Sequence, residues 1–248
     1  GMSVSRIQIN DITPTCPGQH SRCQGGGGLA YGYDEHIYRR NITINPNLST
    51  PSCRIGWTLC CRNGAITTLS NASSNRMYVS TIFNRNMSPR NSSPEFLNPP
   101  VAVLCAGQPA TISPNASDAD GDALQYSLAP CKQTSPTSNV TYGPGFSATN
   151  PLSTTSGFNL DQFTGLLSFT PSGVQVGVVC TRVDEYRGGT KIGEINRDIQ
   201  IAVINCNNNN PVIAQIPNQI AQVGQQICVN VSATDADNDN IALTATSS

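Results

Sequence analysis

The sequence predicts an all-β protein in which β-sandwich domains stand in tandem. Three observations carry this. Apolar residues recur in short or alternating runs with almost no helical period. Seventeen prolines and twenty-one glycines punctuate those runs as turns. One Asp-rich segment occurs twice, ISPNASDADGDALQYSL at 112–128 and VNVSATDADNDNIALTA at 229–245.

The elements follow in order. Residues 1–97 form an N-terminal β-rich domain, with strands expected at Val4 to Ile9, Ile37 to Ile44, Ile55 to Cys61 and Met77 to Phe83. Gly25 to Gly28 precede no helix signal and no lysine, so they read as a flexible turn rather than a phosphate loop. The polar, Pro-rich stretch from Asn84 to Pro100 reads as a linker. Residues 98–206 form a second domain. Its strands are expected at Val101 to Cys105, Ala110 to Ile112, Leu124 to Leu128, Gly157 to Leu160, Leu166 to Phe169, Gln175 to Val183 and Ile192 to Ile204. That many strands in such a span fit an immunoglobulin-like sandwich. Residues 207–248 read as a linker and the start of a second such repeat. The Gly1-Met2 start and the mid-pattern stop at Ser248 read as the ends of a piece of a longer exported protein.

Charged residues are 12% of the chain, against roughly 25% in ordinary soluble domains, and the net charge is −1. Such a surface offers no electrostatic footprint for nucleic acid or an anionic membrane. No run reaches the ~20 apolar residues of a membrane helix, so no membrane insertion is expected. Ten cysteines, with no CxxC pair and only two histidines, read as disulfide staples rather than zinc ligands. They place the chain outside the cytoplasm, as an extracellular or cell-surface protein.

Asp118, Asp120 and Asp122 alternate, as do Asp235, Asp237 and Asp239. Alternate carboxylates on an extended turn can converge on a hard cation, and Ca²⁺ takes six to eight such oxygens. The other reading is a bare Asp/Gly turn, which those residues favour on their own account. Without flanking helices or a glutamate at the twelfth position, an EF-hand is rejected. A bound Ca²⁺ would stiffen the junction before each turn, with Asn98, or Asn207, Asn208 and Asn209, adding oxygens.

ASDADGDALQYSL together with GFNLDQFTGLLSFTPSGVQVGVVCTRVDEYRGG resembles the cadherin-like and immunoglobulin-like (PKD-like) repeats of bacterial surface proteins. Tyr38-Arg39-Arg40, Cys60-Cys61-Arg62-Asn63 and Glu185-Tyr186-Arg187 resemble motifs in large secreted, adhesin-type proteins of gliding bacteria. The resemblance spans roughly 31–248. It implies tandem immunoglobulin-like/cadherin-like domains in a surface protein that acts in adhesion or architecture, with a protein or glycan on a surface as partner.

If every cysteine is bridged, the odd number in the first segment demands a crossing, expected from Cys60 or Cys61 to Cys105. Adjacent cysteines on one strand would point to opposite faces. Cys131 and Cys180 then staple the second domain, and Cys206 and Cys228 tie the second linker to the last repeat. Each bridge would contribute about 2–4 kcal/mol.

No catalytic set assembles from His20, His36 and the scattered acids Asp34, Glu35, Asp184 and Glu185, and Glu194 and Asp198 read as surface positions. The chain is therefore expected to be non-enzymatic. The alternative is a carbohydrate-binding module of a secreted enzyme, or a lectin-like adhesin, using Tyr31, Tyr33, Tyr38 and Trp57 as platforms. Against it, a lone Trp57 beside Cys60 reads as a core residue.

Overall fold

In a computed structural model the chain is described over residues 3–14, 21–24, 32–44, 49–84, 91–206, 211–237 and 240–243. It divides into two compact units, Gly1–Ile204 and Asn205–Ser248. The described residues are almost entirely strand and turn, apart from single 3₁₀ turns at Arg22–Gln24 and Ala72–Ser74.

The first unit opens with a hairpin of β1 (Ser5–Asp11) and β2 (Asp34–Arg39). Next come β3 (Ser52–Leu59), β4 (Met77–Asn84), β5 (Glu95–Phe96), β6 (Val101–Cys105), β7 (Ala110–Ile112), β8 (Ala116–Ser117) and β9 (Ala123–Leu128). β10 (Thr154–Leu160), β11 (Leu167–Pro171), β12 (Gln175–Arg187) and β13 (Thr190–Ile204) complete it. The main sheet runs β3-β4-β13-β12-β9, with β6 added parallel to β13. A smaller sheet, β10-β11-β7, faces it.

Between these sheets lies a core of Leu152, Leu167, Phe169, Val179, Ile199 and Ile201, the arrangement of a sandwich. β12 is buried on both faces, which accounts for its unbroken apolar run. Val179 enters the sandwich core, whereas Val178 and Cys180 pack on the other side under Ile66, Leu69 and Val140. Gly177 lets this strand close on Leu152, whose side chain occupies the space a Cβ would need. β12 turns into β13 through Gly188 and Gly189, both at positive φ, the conformation that a tight hairpin demands.

The stretch 84–100 joins strands of one continuous sheet, since β4, before it, pairs with β13 through Ile82 and Glu194.

The second unit holds β14 (Val212–Ile213) and β15 (Ala233–Thr234), and it repeats the β5–β8 pairing residue for residue. Glu95 faces Ser117 as Val212 faces Thr234, and Phe96 faces Ala116 as Ile213 faces Ala233. Leu97 N–H donates to Asn115 O, and Ala214 N–H donates to Ser232 O. Gly107 and Gly224 both sit at positive φ in equivalent turns.

Cys131 and Cys180 are bridged, with Cα atoms 5.2 Å apart. Cys60 and Cys61 are bonded to each other, which corrects the expected crossing to Cys105. The expectation assumed a strand running through both, but β3 ends at Leu59 and the facing rule no longer applies beyond it. Cys105 and Cys206 are each disulfide-bonded, and the β6–β13 register sets Cys105 opposite Ile204. Cys228 is free and exposed, so the Cys206–Cys228 tie is also corrected; Cys23 and Cys53 are free as well. Cys16, Tyr31 and the Gly25 to Gly28 run lie outside the described residues.

Candidate metal centre

The Asp-rich turn between β8 and β9 is organised by Asp118. Its Oδ1 accepts the backbone N–H groups of Asp120 at 2.9 Å and Asp122 at 3.1 Å. This Asx-type turn spends one oxygen on the backbone and leaves Oδ2 buried with no hydrogen-bond partner. Asp235 begins the same turn in the second unit, accepting from Asp237 N–H at 2.8 Å. Asp239 lies outside the described residues.

β9 pairs antiparallel with β12, and the register sets Leu124 opposite Glu185. Carboxylate oxygens of Asp118, Asp122 and Glu185 thereby lie within 4.8 Å of one another. Glu185 is 2% exposed, and its Oε1 has no hydrogen-bond partner. Burial pushes its carboxyl up to about 7, and the neighbouring Asp122 and Asp118 add to the effect while Asn91 opposes it. Gly193, across the β12–β13 pair, leaves the space that the Glu185 carboxylate fills.

Asp122 is held differently. Arg187 Nε donates to its Oδ1 at 2.6 Å and Arg187 Nη2 to its Oδ2 at 2.5 Å, which holds its carboxyl below the usual range. Asp120 stands at the rim, its Oδ2 accepting Ser92 N–H at 2.6 Å and lying 3.7 Å from Arg187 Nη2. Asn91 Oδ1 accepts from Arg187 Nη2 at 3.1 Å. Three converging carboxylates with a flanking carboxylate and an amide oxygen are the donor chemistry that a hard divalent cation takes.

Of the residues expected from sequence, the turn thus brings Asp118 and Asp122 together and leaves Asp120 at the rim. Asn98 serves elsewhere, since its Nδ2 donates to Ser113 O; the amide at the site is Asn91. Glu185 was not among the expected ligands. Its one signal was a charged pair, Asp184-Glu185, inside an otherwise apolar strand. Asp198 is no surface acid either: its side chain is 8% exposed and pairs with buried Arg62 at 2.6 Å. The reason is the loop at 62–75, which covers that face of β12 and β13.

A second feature lies at the hairpin. An open groove of about 610 Å³ between β2 and β3 is lined by His36, Tyr38, Arg40, Ile55 and Trp57, among others. The Tyr38 and Trp57 rings stand 5.3 Å apart at 47°. Trp57 is 37% exposed, which corrects its reading as a core residue; β3 is the edge strand of the sheet, and Tyr38 covers the ring only in part. Tyr33 takes no part here, its hydroxyl accepting from Gln200 Nε2 at 3.3 Å.

No protein-family model matches the chain, and no curated protein matches it.

Proposed function

We propose that this chain is part of a non-enzymatic extracellular or cell-surface protein, structural or adhesive, built from tandem immunoglobulin-like/cadherin-like domains and braced by Ca²⁺. The observation that carries it is the buried Glu185 carboxylate facing Asp118 and Asp122, with its Oε1 and Asp118 Oδ2 both lacking a hydrogen-bond partner. A buried carboxylate oxygen without a partner is costly, and a divalent cation removes that cost. Bound there, Ca²⁺ would tie the Asp-rich turn to the end of β12 and to Asn91 and Ser92 in the stretch that precedes β5. That holds the stretch ahead of β5 within the first unit, through Asn91 rather than Asn98. The same turn at Asp235 and Asp237 supports a repeated use of the device. The Cys131–Cys180 bridge favours an exported protein, since such bonds persist in oxidising compartments.

The test is calorimetric titration of the metal-free protein with Ca²⁺, alongside Glu185→Gln. Binding that weakens at least about tenfold in the variant, with a Ca²⁺-dependent rise in Tm only in the unaltered protein, supports the reading. No Ca²⁺ binding and an unchanged Tm would sink it.

A second reading is favoured by the exposed Tyr38–Trp57 pair: glycan binding at the β2–β3 groove, with the rings as stacking platforms and Glu35, His36 and Arg40 as hydrogen-bonding partners. Binding on a glycan array that is lost in Trp57→Ala supports it, and an array without signal rejects it.

A further inference from the structure

The candidate metal centre already contains a cation of its own. Arg187 lies two residues beyond Glu185 at the end of β12. Its guanidinium engages both oxygens of Asp122, approaches Asp120 at 3.7 Å and donates to Asn91 Oδ1 at 3.1 Å. One converging carboxylate and the flanking Asp120 therefore face the arginine, while Asn91 engages both Arg187 and Glu185. Asp118 Oδ2 and Glu185 Oε1, on the inner side, face no hydrogen-bond donor.

Resting on the metal reading, we propose that Arg187 is the resident counter-ion of this centre and is exchanged for a divalent cation. Two carboxylates meet the guanidinium and two more, Asp118 and Glu185, complete the cluster, so the arginine compensates only part of the negative charge. A divalent ion seated among Asp118, Asp122 and Glu185 supplies more charge at shorter range and repels the guanidinium. The Arg187 side chain is 38% exposed, on a long stem that can swing to water, while Glu185 is fixed inside the sheet. Metal and arginine thus compete for Asp122. The fork stabilises the metal-free turn and at the same time lowers its affinity for metal.

The experiment is Ca²⁺ titration by calorimetry on the full chain, comparing the unaltered protein with Arg187→Gln and Arg187→Lys, and Tm in chelator. Removing the charged fork is expected to tighten Ca²⁺ binding by at least about tenfold, the worth of one charge-assisted pair, while lowering the metal-free Tm. Arg187→Lys keeps the charge but loses the fork and is expected to fall between the two. If Arg187→Gln does not fold, the lysine variant decides by the same comparison. Binding by the unaltered protein that is equal to or tighter than that of the variants overturns the exchange and leaves the metal reading standing. Absence of binding in every form overturns both. Binding in the variants alone also overturns the exchange, since the arginine is then never displaced from Asp122.

Discussion

Glu185 and Asp198 show how burial turns an ordinary acid into a determinant of behaviour. Glu185 is raised from its ordinary 4.5 to about 7, and burial pushes Asp198 up as well, against the pull of Arg62. Between those two values the Glu185 carboxyl keeps its proton in the folded state while the unfolded chain releases it. The metal-free protein is therefore expected to lose stability as pH rises from about 4.5 through about 7, and Ca²⁺ is expected to reverse the loss. Thermal melts in chelator across that range check this, and a Tm that is flat or rising counts against it. Arg62→Ala leaves the Asp198 charge buried alone and is expected to cost about 3–5 kcal/mol in denaturant unfolding. Neither acid was legible from hydrophobic pattern. A carboxylate in a strand reads as exposed unless its cover is known, and that cover is distant in sequence: Arg62 for Asp198, and the Asp118–Asp122 turn for Glu185.

At the scale of elements, the strands most legible in sequence were those whose ends are set by local chemistry. Val101–Cys105 and Ala110–Ile112 flank the Gly107 turn, and their bounds coincide with expectation. β12 was expected to stop at Val183, yet it continues to Arg187, because β9 and β13 both pair with the charged tail. Ladder hydrogen bonds, which periodicity does not register, carry those four residues. β10 likewise begins three residues before the expected Gly157, in the polar Thr154-Thr155-Ser156. Gly56 offers a test of β3, since an added Cβ would meet the Tyr78 ring from β4. Gly56→Val is expected to destabilise the first unit by about 1–3 kcal/mol through overpacking, read as a lower denaturant midpoint. The Cys131–Cys180 bridge closes a 49-residue loop. Its removal as a double alanine variant is expected to cost about 2–4 kcal/mol, measured the same way.

For the whole molecule, the duplicated Asp-rich segment was the sequence signal that reached furthest. It located the turn of the candidate centre and the shared local structure of β5–β8 and β14–β15. The register that aligns Asp118 with Asp235 and Gly107 with Gly224 also aligns Asn91-Ser92-Ser93-Pro94 with Asn208-Asn209-Asn210-Pro211 in sequence. Residues 207–210 lie outside the described residues, but the correspondence includes the stretch ahead of each first strand. In the first copy that stretch is held on the turn by the Ser92 N–H bond to Asp120. The connector before the first repeat therefore behaves as a fitted part of fixed length, and not as a tether whose length can drift. One residue inserted between Ser93 and Pro94 would slide Asn91 and Ser92 by about 3.3 Å along the chain. Such an insertion is expected to abolish the Ca²⁺-dependent rise in Tm while leaving the sandwich folded. In an array built this way, spacing would be inherited with each repeat, so copies could be gained or lost only in whole units.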